Sequence, residues 1–170
     1  MGHLEHKEQA PPTVACMIIT ISDTRTPETD LSGKCLRELL EENGHRIVRY
    51  EIVKDEPAAI RQLLREGIAA EAIQAILCNG GTGISFRDRS YEAVAEILEK
   101  RLDGFGELFR MLSFEEIGSA AMLSRAVGGI VGETVIFAMP GSKHAVELAL
   151  EKLILPELGH LAWELRKHLE

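Results

Sequence analysis

Four short strand-like segments, the apolar runs Thr13–Ser22, Ala75–Cys78 and Thr134–Met139 and Arg46–Val53 with its Ile47, Val48, Ile52 and Val53, are separated by stretches with helical spacing, and this alternation most limits what the chain can become. A run such as Val-Ala-Cys-Met-Ile-Ile-Thr-Ile (14–21) has no polar alternate face, so it suits a strand covered on both sides. Strands that alternate with helices of about 10 to 15 residues form an α/β domain around a mainly parallel sheet. With 170 residues, 45% of them hydrophobic and 27% charged, the chain has material for one sizeable core and a solvated surface. We therefore expect one domain over residues 13–170, preceded by a flexible polar tail over residues 1–12 that carries His3 and His6.

The helices follow from spacing and punctuation. Leu31, Cys35, Leu39 and Leu40 share a face of a helix over 31–43 that Gly44 stops, and Pro57 opens a second helix reaching Gly67. Ala93, Val94, Ile97 and Leu98 mark a helix beginning near Ser90. Ser113-Phe-Glu-Glu116 reads as a capping box opening a further helix toward Arg125, with Gly128 and Gly129 ending it. Gly132-Glu133 turns a hairpin into the last strand. The C-terminal helix is interrupted near Pro156, with Leu153, Leu161 and Trp163 available for packing.

Composition excludes several functions. Nineteen basic against 27 acidic residues give a net charge of −8, which disfavours a nucleic-acid or anionic-membrane partner held by charge alone. No apolar run approaches the roughly 20 residues that span a bilayer, and no signal-peptide core precedes residue 13, so a cytoplasmic protein is expected. Cys16, Cys35 and Cys78 are odd in number and sit in or beside apolar runs, as reduced core thiols do. The six histidines lack metal-site spacing.

Chemistry in a parallel sheet gathers at the loops beyond the strand carboxyl ends. Asn79-Gly-Gly-Thr-Gly-Ile-Ser-Phe-Arg-Asp88 is such a loop, and its glycines, Thr82 and Ser85 suit either a tight turn or a cradle for a phosphate or pterin. It is not a dinucleotide fingerprint, because Phe86 replaces the last glycine. Ser32-Gly-Lys-Cys35 is not a P-loop either, lacking a glycine at position 28. Asp55 and Asp88 end strands two and three; they suit helix caps or a shared Mg²⁺, an ion that takes one or two protein carboxylates plus phosphates and water. Ser22 to Gly33 offers hydroxyls, acids and Arg25. Pro140-Gly-Ser-Lys143 opens a helix whose free N–H groups suit either a cap or a phosphate.

Six segments occur in the order found in the MoaB/Mog family of molybdenum-cofactor biosynthesis proteins: Ile21-Ser-Asp-Thr-Arg25, Asp30-Leu-Ser-Gly33, Val53-Lys-Asp-Glu-Pro57, Gly80-Gly-Thr-Gly83 with Arg87-Asp88, Ser113 to Arg125, and Pro140-Gly-Ser142. The chain resembles that family from about residue 13 to 160, and Phe-Glu-Glu-Ile-Gly-Ser-Ala-Ala (114–121) is closer to the MoaB branch. The resemblance implies a three-layer αβα molybdopterin-binding fold, assembled as a homotrimer or homohexamer, with contacts to other proteins of cofactor synthesis. It implies transfer of an adenylyl group from Mg-ATP to the terminal phosphate of molybdopterin. Asp55 and Asp88 would be the catalytic and metal-binding acids. Ser22, Asp23, Gly80, Gly81, Thr82, Gly83, Ser119, Pro140, Gly141, Ser142 and Lys143 would bind substrate. A non-catalytic molybdopterin carrier, and a nucleotide-hydrolysing relative, are the alternatives; retention of both aspartates favours the enzyme.

Overall fold

A computed structural model describes residues 13–169. The expected tail over 1–12 lies outside the described residues. Six strands form one sheet in the order β2-β1-β3-β6-β5-β4: β1 (Ala15–Ile21), β2 (Arg46–Val53), β3 (Ala75–Asn79), β4 (Lys100–Arg101), β5 (Val127–Val131) and β6 (Thr134–Met139). β1, β2, β3 and β6 run parallel, while β5 is antiparallel to both β6 and β4.

β1, β3 and β6 are buried on both faces, and their period of two sorts their side chains, while the edge strand β2 is only partly buried. Cys16, Ile18, Leu77, Val135, Phe137 and Met139 enter one core, with α1 (Leu31–Glu42), α4 (Asp103–Ile117), α5 (Lys143–Ala149) and α6 (Leu155–Arg166) over it. Met17, Ile19, Ile21, Ile76, Cys78, Ile136 and Ala138 enter the other, under α2 (Pro57–Ala69) and α3 (Ser90–Ile97). This is the expected three-layer αβα arrangement. The cysteines are free and buried, and burial pushes the Cys16 and Cys78 thiols up to about 12, as core thiols require.

Local signals place most helix ends. Asp30 caps α1 by accepting from the Gly33 N–H at 2.9 Å, and Pro57 opens α2. Just before Pro156 the last helix widens into a π-helical stretch, Leu150–Ile154, the interruption expected there.

One segment differs. The capping box expected at Ser113 does not form, because α4 has already begun at Asp103 and Ser113 is a buried residue of its last turns. Its hydroxyl donates to Phe109 O at 2.8 Å, which satisfies it inside the helix. Phe105 and Phe109 draw this helix onto the sheet, where Phe105 meets Phe137 edge to face at 4.8 Å. The chain then follows a 3₁₀ helix, Gly118–Leu123. Gly128 and Gly129 do not end a helix; they lie within β5, where a β-carbon on Gly129 would collide with the Lys100 carbonyl of β4.

Neighbouring β1 and β3 send their chains to opposite faces, β1 to α1 and β3 to α3. The two connections part at this point and leave a crevice beyond the carboxyl ends of the two strands.

Candidate functional site

The crevice is a cleft of about 510 Å³ lined by parts of four loops. Ile21 to Arg25 follow β1, Asp55 follows β2, Gly80 to Gly83 with Arg87 and Asp88 follow β3, and Pro140 and Gly141 follow β6. Leu123 and Ser124 close one side.

The glycine loop is shaped by what lies against it. Gly80 and Gly81 have φ values of +98° and +65°, which L side chains rarely adopt. The loop is tied down at its start: Gly80 N–H donates to Met139 O at 3.0 Å, Ser90 Oγ donates to Gly80 O at 2.6 Å, and Ser90 N–H donates to Gly81 O at 3.1 Å. A β-carbon on Gly83 would lie 2.6 Å from Asp88 Oδ2, so the missing side chain makes room for that carboxylate. The N–H groups of Gly81, Thr82 and Gly83 have no hydrogen-bond partner among the described residues, leaving them for an anionic or carbonyl-bearing ligand.

Neither aspartate caps the helix beside it. Asp55 is 5% exposed, and both its oxygens accept from the Arg89 N–H across the cleft floor, at 3.1 and 3.3 Å. Asp88 closes a turn of its own loop, its Oδ2 accepting from Ser85 N–H at 3.0 Å and Ser85 Oγ at 2.5 Å. Burial raises the Asp55 pKa, and the Asp88 and Asp23 carboxylates add to the rise. A cation between these acids would relieve that repulsion. Among the described residues no three His, Cys, Asp or Glu groups converge as a metal-binding cluster.

Asp23 and Arg87 bridge the mouth. Asp23 accepts Arg87 Nε and Nη2 at 3.1 and 3.0 Å and the Asp55 N–H at 3.1 Å, while Arg87 Nη1 reaches Glu56 at 3.0 Å. The hydrogen bond from Arg87 holds the Asp23 carboxyl below the usual aspartate range. Ser22 turns its own loop, its Oγ accepting from Thr24 and Arg25 N–H at 3.2 and 3.1 Å. Arg25 fastens the first loop to the last: Nη2 donates to Gly141 O at 2.8 Å and Nη1 to Asp30 and Ser32.

Thus Ser22, Asp23, Asp55, Gly80, Gly81, Thr82, Gly83, Asp88, Pro140 and Gly141 come together as one lining. Ser119, Ser142 and Lys143 do not join it. Ser119 is exposed on the 3₁₀ helix, Ser142 caps α5 by accepting from Ala145 N–H at 3.1 Å, and Lys143 pairs with Glu147 at 3.4 Å. Sequence reasoning missed Ile21, Thr24, Arg87, Leu123 and Ser124 in the lining and the part played by Arg125 behind it. Ser113 to Arg125 is among the family-like segments, which marked the region without giving a role to its last residues.

Fold and cleft together define an α/β protein with a mainly parallel sheet and a cleft at the strand carboxyl ends. Residues 17–160 match the family described as "Probable molybdopterin binding domain", and the chain belongs to that family. It is 57% identical to molybdenum cofactor biosynthesis protein B of Bacillus cereus over 98% of this chain and 99% of the relative. Against the Bacillus subtilis protein of the same name the identity is 54%, with the same coverage. A crystal structure of a molybdenum cofactor biosynthesis protein B superposes with a TM-score of 0.91, at 57% identity, over 94% of this chain and 99% of that one. The tungsten cofactor synthesizing protein MoaB from Pyrococcus furiosus gives 0.82 at 36% identity, over 92% and 99%. The expected MoaB/Mog resemblance and its fold are borne out. Among the described residues no helix is long and apolar enough to cross a membrane.

Proposed function

We propose that this chain binds molybdopterin in the cleft and transfers an adenylyl group to it from Mg-ATP, in the cytoplasm. The observation that carries this reading is the union of unpartnered loop N–H groups at Gly81 to Gly83 with the Asp55 and Asp88 carboxylates in one lining. Reaction of one phosphate with another brings like charges together, and a site serves it by electrostatic stabilisation and positioning rather than by a protein nucleophile.

In the proposed reaction a terminal phosphate oxygen of molybdopterin attacks the α-phosphorus of ATP. The bond between that phosphorus and the oxygen bridging to the β-phosphate breaks, and pyrophosphate leaves with the electron pair. Asp55 and Asp88 would hold Mg²⁺, which would supply positive charge to the phosphates. The loop N–H groups hold the pterin-side ligand, and the Arg89 N–H keeps Asp55 aimed into the cleft. Asp23 fixes the strand-two loop through the Asp55 N–H.

One observation favours a second reading, binding without chemistry. Arg25 and Arg87, the cations of the lining, are bonded to Asp30 and to Asp23 with Glu56, and Lys143 is paired with Glu147 outside it. The deciding experiment incubates the purified protein with molybdopterin, ATP and Mg²⁺ and follows adenylylated pterin and pyrophosphate, with Asp88→Asn alongside. The enzyme reading expects product from the wild type, loss of at least about 100-fold in the variant, and dependence on Mg²⁺. Molybdopterin binding without product makes the chain a carrier, and no binding removes both readings.

Self-association belongs to the same proposal. Leu108, Met111, Phe114 and Ile117 recur every three residues along α4 and are 46 to 61% exposed, opposite the buried Phe105 and Phe109. A second copy of the chain covers this stripe in the proposed homo-oligomer.

A further inference from the structure

Three carbonyl oxygens of the glycine loop, drawn from both its ends, converge on one guanidinium. Arg125 Nε donates to Thr82 O at 2.9 Å, and Nη2 donates to Gly83 O at 2.7 Å and Asp88 O at 3.2 Å. The guanidinium has two further neighbours. Glu92 of α3 accepts from Nη1 and from Nη2, and the Tyr91 ring centre lies 5.1 Å from the guanidinium carbon. Only a planar fork of five donors can serve these acceptors together; an ammonium on a flexible stem presents one point charge.

What this does to the site follows from peptide geometry. The chain has no cis peptide bonds among the described residues, so the N–H of each peptide points opposite to its C=O. Fixing Asp88 O on Arg125 turns the Arg89 N–H the other way, and that N–H is the one that donates to both oxygens of Asp55. Fixing Thr82 O and Gly83 O likewise turns the N–H groups of Gly83 and Ile84 away from Arg125, and neither has a partner among the described residues. Gly83 lines the cleft, whereas Arg125 does not.

We propose that Arg125 is a positioning residue: it sets the peptide planes of the glycine loop so that their N–H groups serve the bound ligand and Asp55 stays seated on Arg89. This rests on the molybdopterin-binding reading. Arg125 touches no substrate; it acts through Thr82, Gly83 and Asp88.

The test compares Arg125→Lys, which keeps the charge and loses the fork, with Glu92→Gln, which loses the ion pair and leaves the three carbonyls on Arg125. Molybdopterin binding is measured by calorimetry without ATP, and amide exchange at Arg89 by NMR on the unliganded protein. Arg125→Lys is expected to weaken binding at least about tenfold and to speed Arg89 exchange by a similar factor, with the amides of β1 and β3 unchanged. Glu92→Gln is expected to bind within about twofold of wild type. Wild-type affinity in Arg125→Lys, or unchanged exchange at Arg89, overturns the proposal; so does equal weakening in Glu92→Gln, which would make the arginine an anchor for α3. If the wild type itself does not bind molybdopterin, the reading of the cleft fails, and the exchange rates still judge Arg125.

Discussion

Asp55 and Gly81 occupy adjoining space so closely that a β-carbon on residue 81 would overlap Asp55 Oδ2. The carboxylate at the end of one strand and the bare backbone after another are therefore a single fitted unit. Gly81 also sits at φ +65°, so its lack of a side chain is required twice.

Gly81→Ala is accordingly expected to cost about 2 kcal/mol and to displace Asp55. Gly104→Ala is the control: that glycine lies in α4 with nothing within 4 Å of where its methyl would stand and no positive φ, so the change should stabilise by about 0.5 to 1 kcal/mol. Urea unfolding of both variants checks the opposite signs. Equal effects would mean that the loop accommodates a methyl.

Asp55→Asn separates stability from function. Burial, with the Asp88 and Asp23 charges, raises the native pKa of Asp55, so the native state holds its proton to higher pH than the unfolded chain does. The ionised group thus subtracts from stability above the native pKa, and the subtraction fades as pH falls through that value to the unfolded one. The variant, still able to accept from Arg89 N–H, is expected to melt above the wild type at pH 7. The gap should close toward the acid end, while adenylylation falls at least about 100-fold. Thermal melts across pH test the sign, and a variant less stable than wild type at pH 7 contradicts it.

Arg25 and Asp30 link the first and last loops. Asp30 is fully buried, accepting from Arg25, the Gly33 N–H and the Tyr50 hydroxyl. Arg25→Ala leaves that carboxylate without its cation and leaves Gly141 O only its bond from the Ser32 hydroxyl, and should cost about 2 to 3 kcal/mol. Tyr50→Phe removes one hydrogen bond and should cost about 1 to 2 kcal/mol. Chemical denaturation ranks the two; a harmless Arg25→Ala would show that the loops hold together without it.

Phe114→Glu places a charge in the exposed stripe of α4. The proposed oligomer predicts that light scattering finds a smaller species in this variant, with an unchanged far-UV circular dichroism spectrum. An unaltered mass would move self-association to another surface.

How much was legible in the chain differs by region. Three of the expected strands became β1, β3 and β6 because burial on both faces leaves a continuous apolar signal that needs no knowledge of partners, and Ile47, Val48, Ile52 and Val53 marked the edge strand β2. Around Ser113 the same kind of reading failed. A serine followed by Glu116 has the look of a helix start, but Phe109 and Phe105, one and two turns earlier in the same helix, had already committed the segment to the Phe137 face of the sheet. The two-residue β4 and the glycine-containing β5 carry too little side-chain pattern to announce themselves.

The chain by itself determined most of the elements and which loops carry glycines, acids and hydroxyls, since periodicity, caps and turn residues act over a few positions. It also placed Asp55 just past β2, whereas Asp88, expected at the end of the third strand, lies nine residues beyond β3, just before α3. Tertiary structure decided how these groups are used: that Asp55 is buried on the Arg89 N–H, that Arg25 reaches Gly141 and Arg125 gathers three carbonyls, and that Ser119 and Lys143 stay outside the cleft. Each of these depends on which strands lie side by side and which face each helix covers. Such contacts join residues more than thirty positions apart, beyond the reach of any local pattern.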